Sequence, residues 1–321
     1  MGEVSVVVVH YRGVDILHTC LASLGGEHEV VVVDNGSTDG SREMVEADFP
    51  AVRLLPLGHN AGFAAGANAG VGAASSPWVL VANDDTTFEP DAVTELLAAA
   101  RAAPDAFSLA AQLRFASTPG MINSAGLSVD RWGAARDRLV GQPPAMAGEP
   151  LEVFGASAGA ALYHRGRFLE IDGFDETFGA YLEDVDLAWR AQMRGWRSHY
   201  VPTAVVHHHV SATSGHRSQF KHYHVGRNRV RMLAKNMDGA NLRRSLPVIL
   251  AYETGHAVYA TVADRTLAPV RGRIAGLRDW RALRAAHAGS RRPVELDPPA
   301  GIRSALERRR AFGRWGVEAY R

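Results

Sequence analysis

The chain reads as an α/β protein: a mostly parallel central sheet with helices on both faces, plus a helical, basic C-terminal region. Three observations predict this. Short runs of nearly unbroken valine recur through the first third of the sequence, as strands buried on both faces do. Each run is followed by a stretch of helical spacing, the alternation that builds a parallel sheet with covering helices. Beyond Lys235 the pattern turns mostly helical and arginine-rich.

In order, the strands are Val4–His10 (VSVVVVH), Glu29–Asp34 (EVVVVD), residues 52–57 and Trp78–Asn83 (WVLVAN). Helices are predicted over 14–24, 41–47 and 61–74. A fourth, over 91–103, follows Pro90, whose missing N–H is harmless at a helix start. Residues 115–152 are rich in Gly, Pro and small polar residues with weak periodicity. They read as an irregular insertion near the active face, and their Arg131 to Arg138 run reads as surface. Order resumes over 154–164, a helix covers 182–194, and 197–209 is a strand ending in histidines. The boundary expected is a catalytic domain at 1–237 and a helical basic region at 238–321, membrane-proximal or used for oligomerisation. Within that region 246–262 is the most apolar stretch, but Pro247, Glu253 and His256 interrupt it, so it is not a spanning helix. It reads as a packed helix, with the flanking Arg243, Arg244 and Arg265 leaving an interfacial helix as the alternative.

With 321 residues the chain has ample mass for a core, which excludes hormones, small disulfide scaffolds and short adaptors. Its single cysteine, Cys20, allows neither an internal disulfide nor a cysteine-based zinc cluster. The N-terminus lacks the order of a signal peptide, so a cytoplasmic location is expected. Net charge is +1, yet residues 1–226 hold 15 Lys/Arg against 26 Asp/Glu and residues 227–321 hold 20 against 8. An acidic body beside a basic tail points to metal-assisted chemistry next to an anionic surface, phospholipid or a phosphorylated lipid carrier, at the inner membrane face. A solvated arginine-rich helix is the plain alternative. No nucleic acid partner is expected; a homodimer through the tail is a further option.

Open sheets of this kind bind ligands beyond the carboxyl ends of their strands, and four polar loops fall there: His10-Tyr11-Arg12, Asp34 to Gly40, Gly58-His59-Asn60 and Asn83-Asp84-Asp85. Asn83-Asp84-Asp85 follows a fully apolar strand, where adjacent carboxylates repel unless solvated or bridged by a cation; an Asx turn also fits. The segment 58–70 places glycines four apart on one helix face, with Asn60 and Gly62 at its start. That spacing suits close helix–sheet packing and an anion at the helix N-terminus. Glu183-Asp184-Val185-Asp186 opens a helix whose dipole favours acids. Asp186 and Arg190 pair at i,i+4, and one of Glu183 and Asp184 is a candidate general base. Of His207-His208-His209, His207 and His209 share a face by period two, and one imidazole could complete a site for Mg²⁺ or, favoured by the nitrogen, Mn²⁺.

Taken together, VSVVVVHYRG, VVVDNGSTDGS, LGHNAGFAAGANAG, VANDD, GASAGAALYHRGRF, IDGFDETFGAYLEDVDLAWRAQMRGW and YVPTAVVHHH, in this order over residues 4–237, resemble family 2 of the inverting nucleotide-sugar glycosyltransferases, of GT-A fold. The GFDETF…YLEDVDL…R…GW block is most like the bacterial rhamnosyltransferases that build cell-surface polysaccharides. The resemblance implies that Tyr11 stacks on the donor nucleobase and Asp34 accepts its ring N–H. It places Asp84 near the ribose and Asp85 on a divalent metal, with Asn83 where the family carries its first acid. Asp184 matches the catalytic base, Glu183 its neighbour in the acceptor pocket, and His207 is preferred as the metal histidine. The donor implied is deoxythymidine-diphosphate rhamnose, with uridine-diphosphate sugars second, and the acceptor a glycan or lipid-linked hydroxyl. The rivals are a nucleotidyltransferase, against which only Arg12 follows strand one where a triphosphate loop would stand, and an inactive nucleotide-sugar-binding scaffold.

Overall fold

The computed structural model describes residues 2–25, 28–209 and 218–299. The last part of the basic C-terminal region, from residue 300 on, lies outside the described residues.

Valine-rich sequence produces the parallel half of the sheet. Strands β1 (Val4–His10), β2 (Glu29–Asp34), β3 (Arg53–Pro56) and β4 (Trp78–Asn83) lie in the order β3-β2-β1-β4, all parallel. Alternation along β1 divides two cores. Val4, Val6 and Val8 face Leu17, Cys20 and Leu21 of α1 (Val14–Ser23) and Leu96 of α4 (Ala92–Ala102). Val7 and Val9 face Ala64, Ala67 and Val71 of α3 (Phe63–Ala73). A short α2 (Ser41–Asp48) joins β2 to β3. The glycine spacing in α3 does the packing work expected of it: a Cβ on Gly66 would stand 2.8 Å from Val9 Cγ1, and one on Gly70 would collide with Val7 and Val33.

The other half of the sheet is mixed. After β5 (Thr86–Phe88) come β6 (Ala106–Phe115), β7 (Thr118–Ser124), β8 (Leu127–Val129), β9 (Ala135–Asp137), β10 (Leu151–Val153), β11 (Ala160–His164) and β12 (Arg197–His208). β11 enters antiparallel between β4 and β6, while β6 and β12 run parallel to each other and β10 edges the sheet. Residues 115–152 are therefore ordered where the sequence suggested an irregular insertion. Their pieces β8, β9 and β10 are three residues each, too short to leave a periodic trace.

A third apolar cluster joins β8 to helices α6 (Glu183–Met193), α7 (Gln219–Asn236) and α8 (Gly239–Asp264) through Leu127, Val129, Val185, Trp189, Met232, Leu233 and Ile249. Between β11 and α6 lies α5 (Arg165–Glu170); α9 (Ala268–Arg278) and α10 (Trp280–Ala286) follow α8. Beneath the cluster sits a closed charge network. Asp186 Oδ2 accepts from Arg190 Nε and Lys235 Nζ, both at 2.9 Å, and Asp186 Oδ1 accepts from Asn236 at 2.8 Å. Burial would raise the Asp186 carboxyl, but Lys235 and Arg190 bring it down to about 2. The Asp186–Arg190 pair is thus structural, as its spacing indicated.

Candidate active site

A cleft of about 790 Å³ opens at the carboxyl ends of β1 and β4. Tyr11, Asn60, Gly62, Asn83, Asp84, Asp85, Glu183 and Asp184 all line it, although they come from four separate parts of the sequence. Asp34 and His207 do not line it.

A two-residue strut ties the halves together. Asn83 N–H donates to Gly159 O at 3.1 Å, and the preceding Ala158 N–H donates to Asp184 Oδ2 at 3.2 Å. Asp184 Oδ1 accepts the Val185 amide at 2.8 Å. Burial, and then the nearby Asp137 carboxylate, raise Asp184 to about 6 against the pull of these amides. That places the group where a general base operates near neutrality. Glu183 is buried beside it, and desolvation together with Asp184 pushes it well above the usual carboxylate range. Among the described residues its Oε2 has no hydrogen-bond partner.

The backbone before α6 is held in an unfavourable shape. Tyr181 and Leu182 both have positive φ, 70° and 68°, a conformation costing roughly 1–3 kcal/mol for such residues. The surroundings impose it: Asn228 Nδ2 donates to Phe178 O, Ala180 O and Tyr181 O at 3.0, 2.9 and 2.8 Å.

At the β1 end of the cleft, His10 is buried. Its Nδ1 lies 2.7 Å from Asp84 Oδ2 and its Nε2 2.8 Å from Ser41 Oγ. Burial raises the Asp84 carboxyl, opposed by His10. Tyr11 follows, with the Arg12 guanidinium 4.8 Å from its ring centre. Asp34 sits behind the cleft, where it accepts Ser37 N–H at 2.8 Å and pairs with Arg42. Burial would raise it, but Ser37 and Arg42 hold it below the ordinary range.

At the start of α3 the helix begins at Phe63, two residues later than 61. Its first amides are already engaged: Ala61 N–H donates to Asn35 Oδ1 at 2.8 Å, Gly62 N–H to Asn60 Oδ1 at 3.0 Å and Ala64 N–H to Gly179 O at 3.0 Å. Asn60 and Gly62 thus line the cleft while much of the expected anion-binding helix end is spent within the protein.

The histidine that meets Asp85 is His208, not His207. The pairing of β12 with β5 sets His207 opposite Thr87 and His208 opposite Thr86. His207 Nε2 turns to Glu89 Oε1 at 2.8 Å, whereas His208 Nε2 is 3.1 Å from Asp85 Oδ1. His208 Nδ1 stands 2.9 Å from Asn123 Oδ1, an atom that only accepts, so this nitrogen carries a proton. The remaining ring nitrogen faces Asp85 Oδ1 at 3.1 Å and Asn83 Nδ2 at 3.4 Å, so an imidazole nitrogen and a carboxylate oxygen converge just past β4. Among the described residues, no group of three or more His, Cys, Asp or Glu side chains is arranged as a complete metal cage.

Sequence reasoning missed much of the far wall. Asn123, Leu127, Arg136 and Asp137 reach the cleft from the segment read as irregular, and Tyr181, Phe220 and Lys221 close its other side. The Arg131 to Arg138 run thus contributes Arg136 and Asp137 to the cleft as well as surface. Desolvation raises Asp137, with Ser124, His208 and Lys221 opposing. The acid–base grouping of Arg136 and Asp137 was the one available signal.

The glycosyl transferase family 2 profile matches residues 5–170. The chain is 34% identical over 245 residues to the N-acetylglucosaminyl-diphospho-decaprenol L-rhamnosyltransferase of Mycobacterium tuberculosis, over 65% of this chain and 77% of that protein. A shorter stretch is 38% identical over 106 residues to the succinoglycan biosynthesis protein ExoO of Rhizobium meliloti, 32% of this chain and 30% of that one. In fold it is similar to GalNAc-T7 with UDP, GalNAc and Mn2+, at TM-score 0.58 and 15% identity over 74% of this chain and 48% of that chain. The mannosyltransferase PcManGT from Pyrobaculum calidifontis, in complex with GDP-Man and Mn2+, matches at TM-score 0.53 and 18% identity over 99% of this chain and 81% of that one. The mixed sheet with its helical C-terminal region is a GT-A fold. The profile, the mycobacterial relative and the acids gathered at one cleft agree: this is a rhamnosyltransferase-like glycosyltransferase, and the chain belongs to glycosyl transferase family 2.

Proposed function

We propose that the protein transfers rhamnose, with inversion, from deoxythymidine-diphosphate rhamnose to a hydroxyl of a lipid-linked N-acetylglucosamine acceptor, with a uridine-diphosphate sugar as the second donor choice. The observation that carries the reading is Asp184, raised to about 6 on the wall of a cleft shared with Asp84 and Asp85. In the reaction the acceptor oxygen bonds to the anomeric carbon as the bond to the diphosphate breaks. The acceptor proton passes to Asp184, and the nucleoside diphosphate leaves with the electron pair. Glu183 Oε2 is placed to take a hydrogen bond with an acceptor hydroxyl. Tyr11 offers a ring at the donor end, and His10 fixes Asp84 for the ribose. Asp34, expected to accept the nucleobase ring N–H, is engaged by Ser37 and Arg42 outside the cleft lining and is given no part in this reading.

Asp85 and His208 offer a carboxylate oxygen and an imidazole nitrogen that would hold a divalent cation, and Mg²⁺ or Mn²⁺ held by them would supply positive charge against the departing diphosphate. The mycobacterial relative's lipid-linked acceptor supports the acceptor class.

The test is incubation with deoxythymidine-diphosphate rhamnose and a polyprenyl-diphospho-N-acetylglucosamine. Release of nucleoside diphosphate with a product of inverted anomeric configuration supports the reading. Pyrophosphate release, or no transfer with either donor, overturns it.

A further inference from the structure

Helix α8 carries an unusual outer face. Its inner side, Ser245, Ile249, Glu253, Ala257 and Ala260, is buried against the body. Every exposed position from Leu246 to Ala263 is uncharged. Leu250, Val258 and Val262 are 58%, 57% and 73% exposed, and Tyr252 and Tyr259 lie among them. α8 ends at Asp264, and the chain turns at Arg265, whose φ is 49°, into α9, where exposed Leu267 at its N-cap and Ile274 share a face with exposed Arg271 and Arg278 at spacings of three and four.

Charge on this face is mostly positive, the exposed Asp279 just beyond it pairing with Arg231. Between residues 239 and 278 the exposed charged side chains are Arg243, Arg244, Arg265, Arg271 and Arg278. The two acids are turned away. Glu253 is buried and pairs with Arg229 and Arg273, and Asp264 lies 2.9 Å from His222 Nε2. An apolar face ringed by arginines matches the boundary between anionic headgroups and acyl chains, where the long arginine side chains reach back to phosphate. No described helix is long and apolar enough to cross a membrane.

The face also ends at the cleft. Asp264, the last residue of α8, meets His222 in the first turns of α7, and the neighbouring Phe220 and Lys221 line the cleft wall. Phe220 is itself half exposed and packs against Tyr181 at the cleft wall.

We propose that the α8–α9 face docks on an anionic phospholipid surface and sets the cleft mouth at the level of the headgroups. The use of that placement, to admit a lipid-linked acceptor, rests on the function proposed above; the docking itself does not.

The test is co-sedimentation of the full chain with vesicles of phosphatidylcholine alone and of phosphatidylcholine mixed with phosphatidylglycerol, at low and high salt. Wild type should bind the phosphatidylglycerol vesicles, more weakly at high salt. The variant Val258→Glu/Val262→Glu should lose about tenfold or more of that binding, and Arg243→Glu/Arg244→Glu should lose the salt-sensitive part. Both change exposed side chains, and melting temperature and gel filtration check that they fold. Asp184→Asn should bind vesicles as wild type does, so a chain that docks but transfers no sugar fails only the catalytic reading. Absence of wild-type binding, or unchanged binding by the Val258/Val262 variant, overturns the proposal. So does a wild-type dimer that the same variant splits, because the face would then belong to a second copy.

Discussion

Asn228, in the middle of α7, donates to the carbonyl of Tyr181, whose positive φ turns the chain into the helix that begins with Glu183 and Asp184. With the companion bonds to Phe178 and Ala180, one buried amide holds the whole approach to the proposed base. Replacing Asn228 with Ala leaves three carbonyls without this donor at a backbone that resists its own conformation. The expected outcome is a loss of about 1–3 kcal/mol in stability by denaturant unfolding and a fall in turnover larger than the change in donor affinity. Unchanged turnover would show that the Asn228 clamp is dispensable.

Asp184→Asn keeps the size of the side chain and removes its ability to accept a proton. Transfer should fall by about a hundredfold or more, with nucleotide-sugar affinity, followed by calorimetry, nearly intact. A variant that keeps a sizeable share of turnover would remove Asp184 from the role.

The pH dependence follows from the same residue. The base works ionised, so kcat/KM should climb as pH rises through about 6 and flatten above. Stability moves the other way. A carboxyl whose folded value is raised holds its proton in the native state while the unfolded chain has lost it, so the protein loses stability as pH rises from the ordinary carboxylate range through about 6. Asp184→Asn removes this dependence, and its melting temperature should gain on wild type by a few degrees at pH above that range. An unchanged difference across the range would contradict the assigned environment.

His208 and His207 make a paired control. His208→Ala should weaken Mn²⁺-dependent donor binding by about tenfold or more, whereas His207→Ala, which loses only the contact to Glu89, should leave it near wild type. Titrations with and without the metal ion separate the two, and equal effects would dismiss the distinction.

Gly70→Ala tests the packing of α3. Its added Cβ would run into Val7 and Val33, and overpacking of this kind costs about 1–3 kcal/mol. Gly72→Ala, one turn face away with open space around it, should be neutral or slightly stabilising in the same thermal unfolding assay.

The parallel half of the sheet was legible because its signal is local. Val4–His10, Glu29–Asp34 and Trp78–Asn83 begin and end where the valine runs do. The acids after β4 and at the start of α6 were equally plain, since carboxylates at a strand end and a helix start stand out against apolar neighbours. The histidine was not. Period-two reasoning grouped His207 with His209, but the β12–β5 pairing, set by residues over a hundred positions earlier, decides which ring turns to Asp85. Asn123 and Asp137 were hidden for other reasons: β7, which carries Asn123, opens with Thr118-Pro119-Gly120, a turn-like start, and β9, which carries Asp137, has only three residues. Asn228 gave no signal at all, because a single buried amide in a long polar helix has no pattern of its own.

The strut at Ala158 and Gly159 has a consequence for how such an enzyme changes over time. One neighbouring residue grips the end of β4 and the other grips the proposed base, so a single peptide link ties the position of Asp184 to the end of β4. A change of backbone at either residue would move the two relative to each other, whereas a change of side chain on the far wall would leave this tie in place.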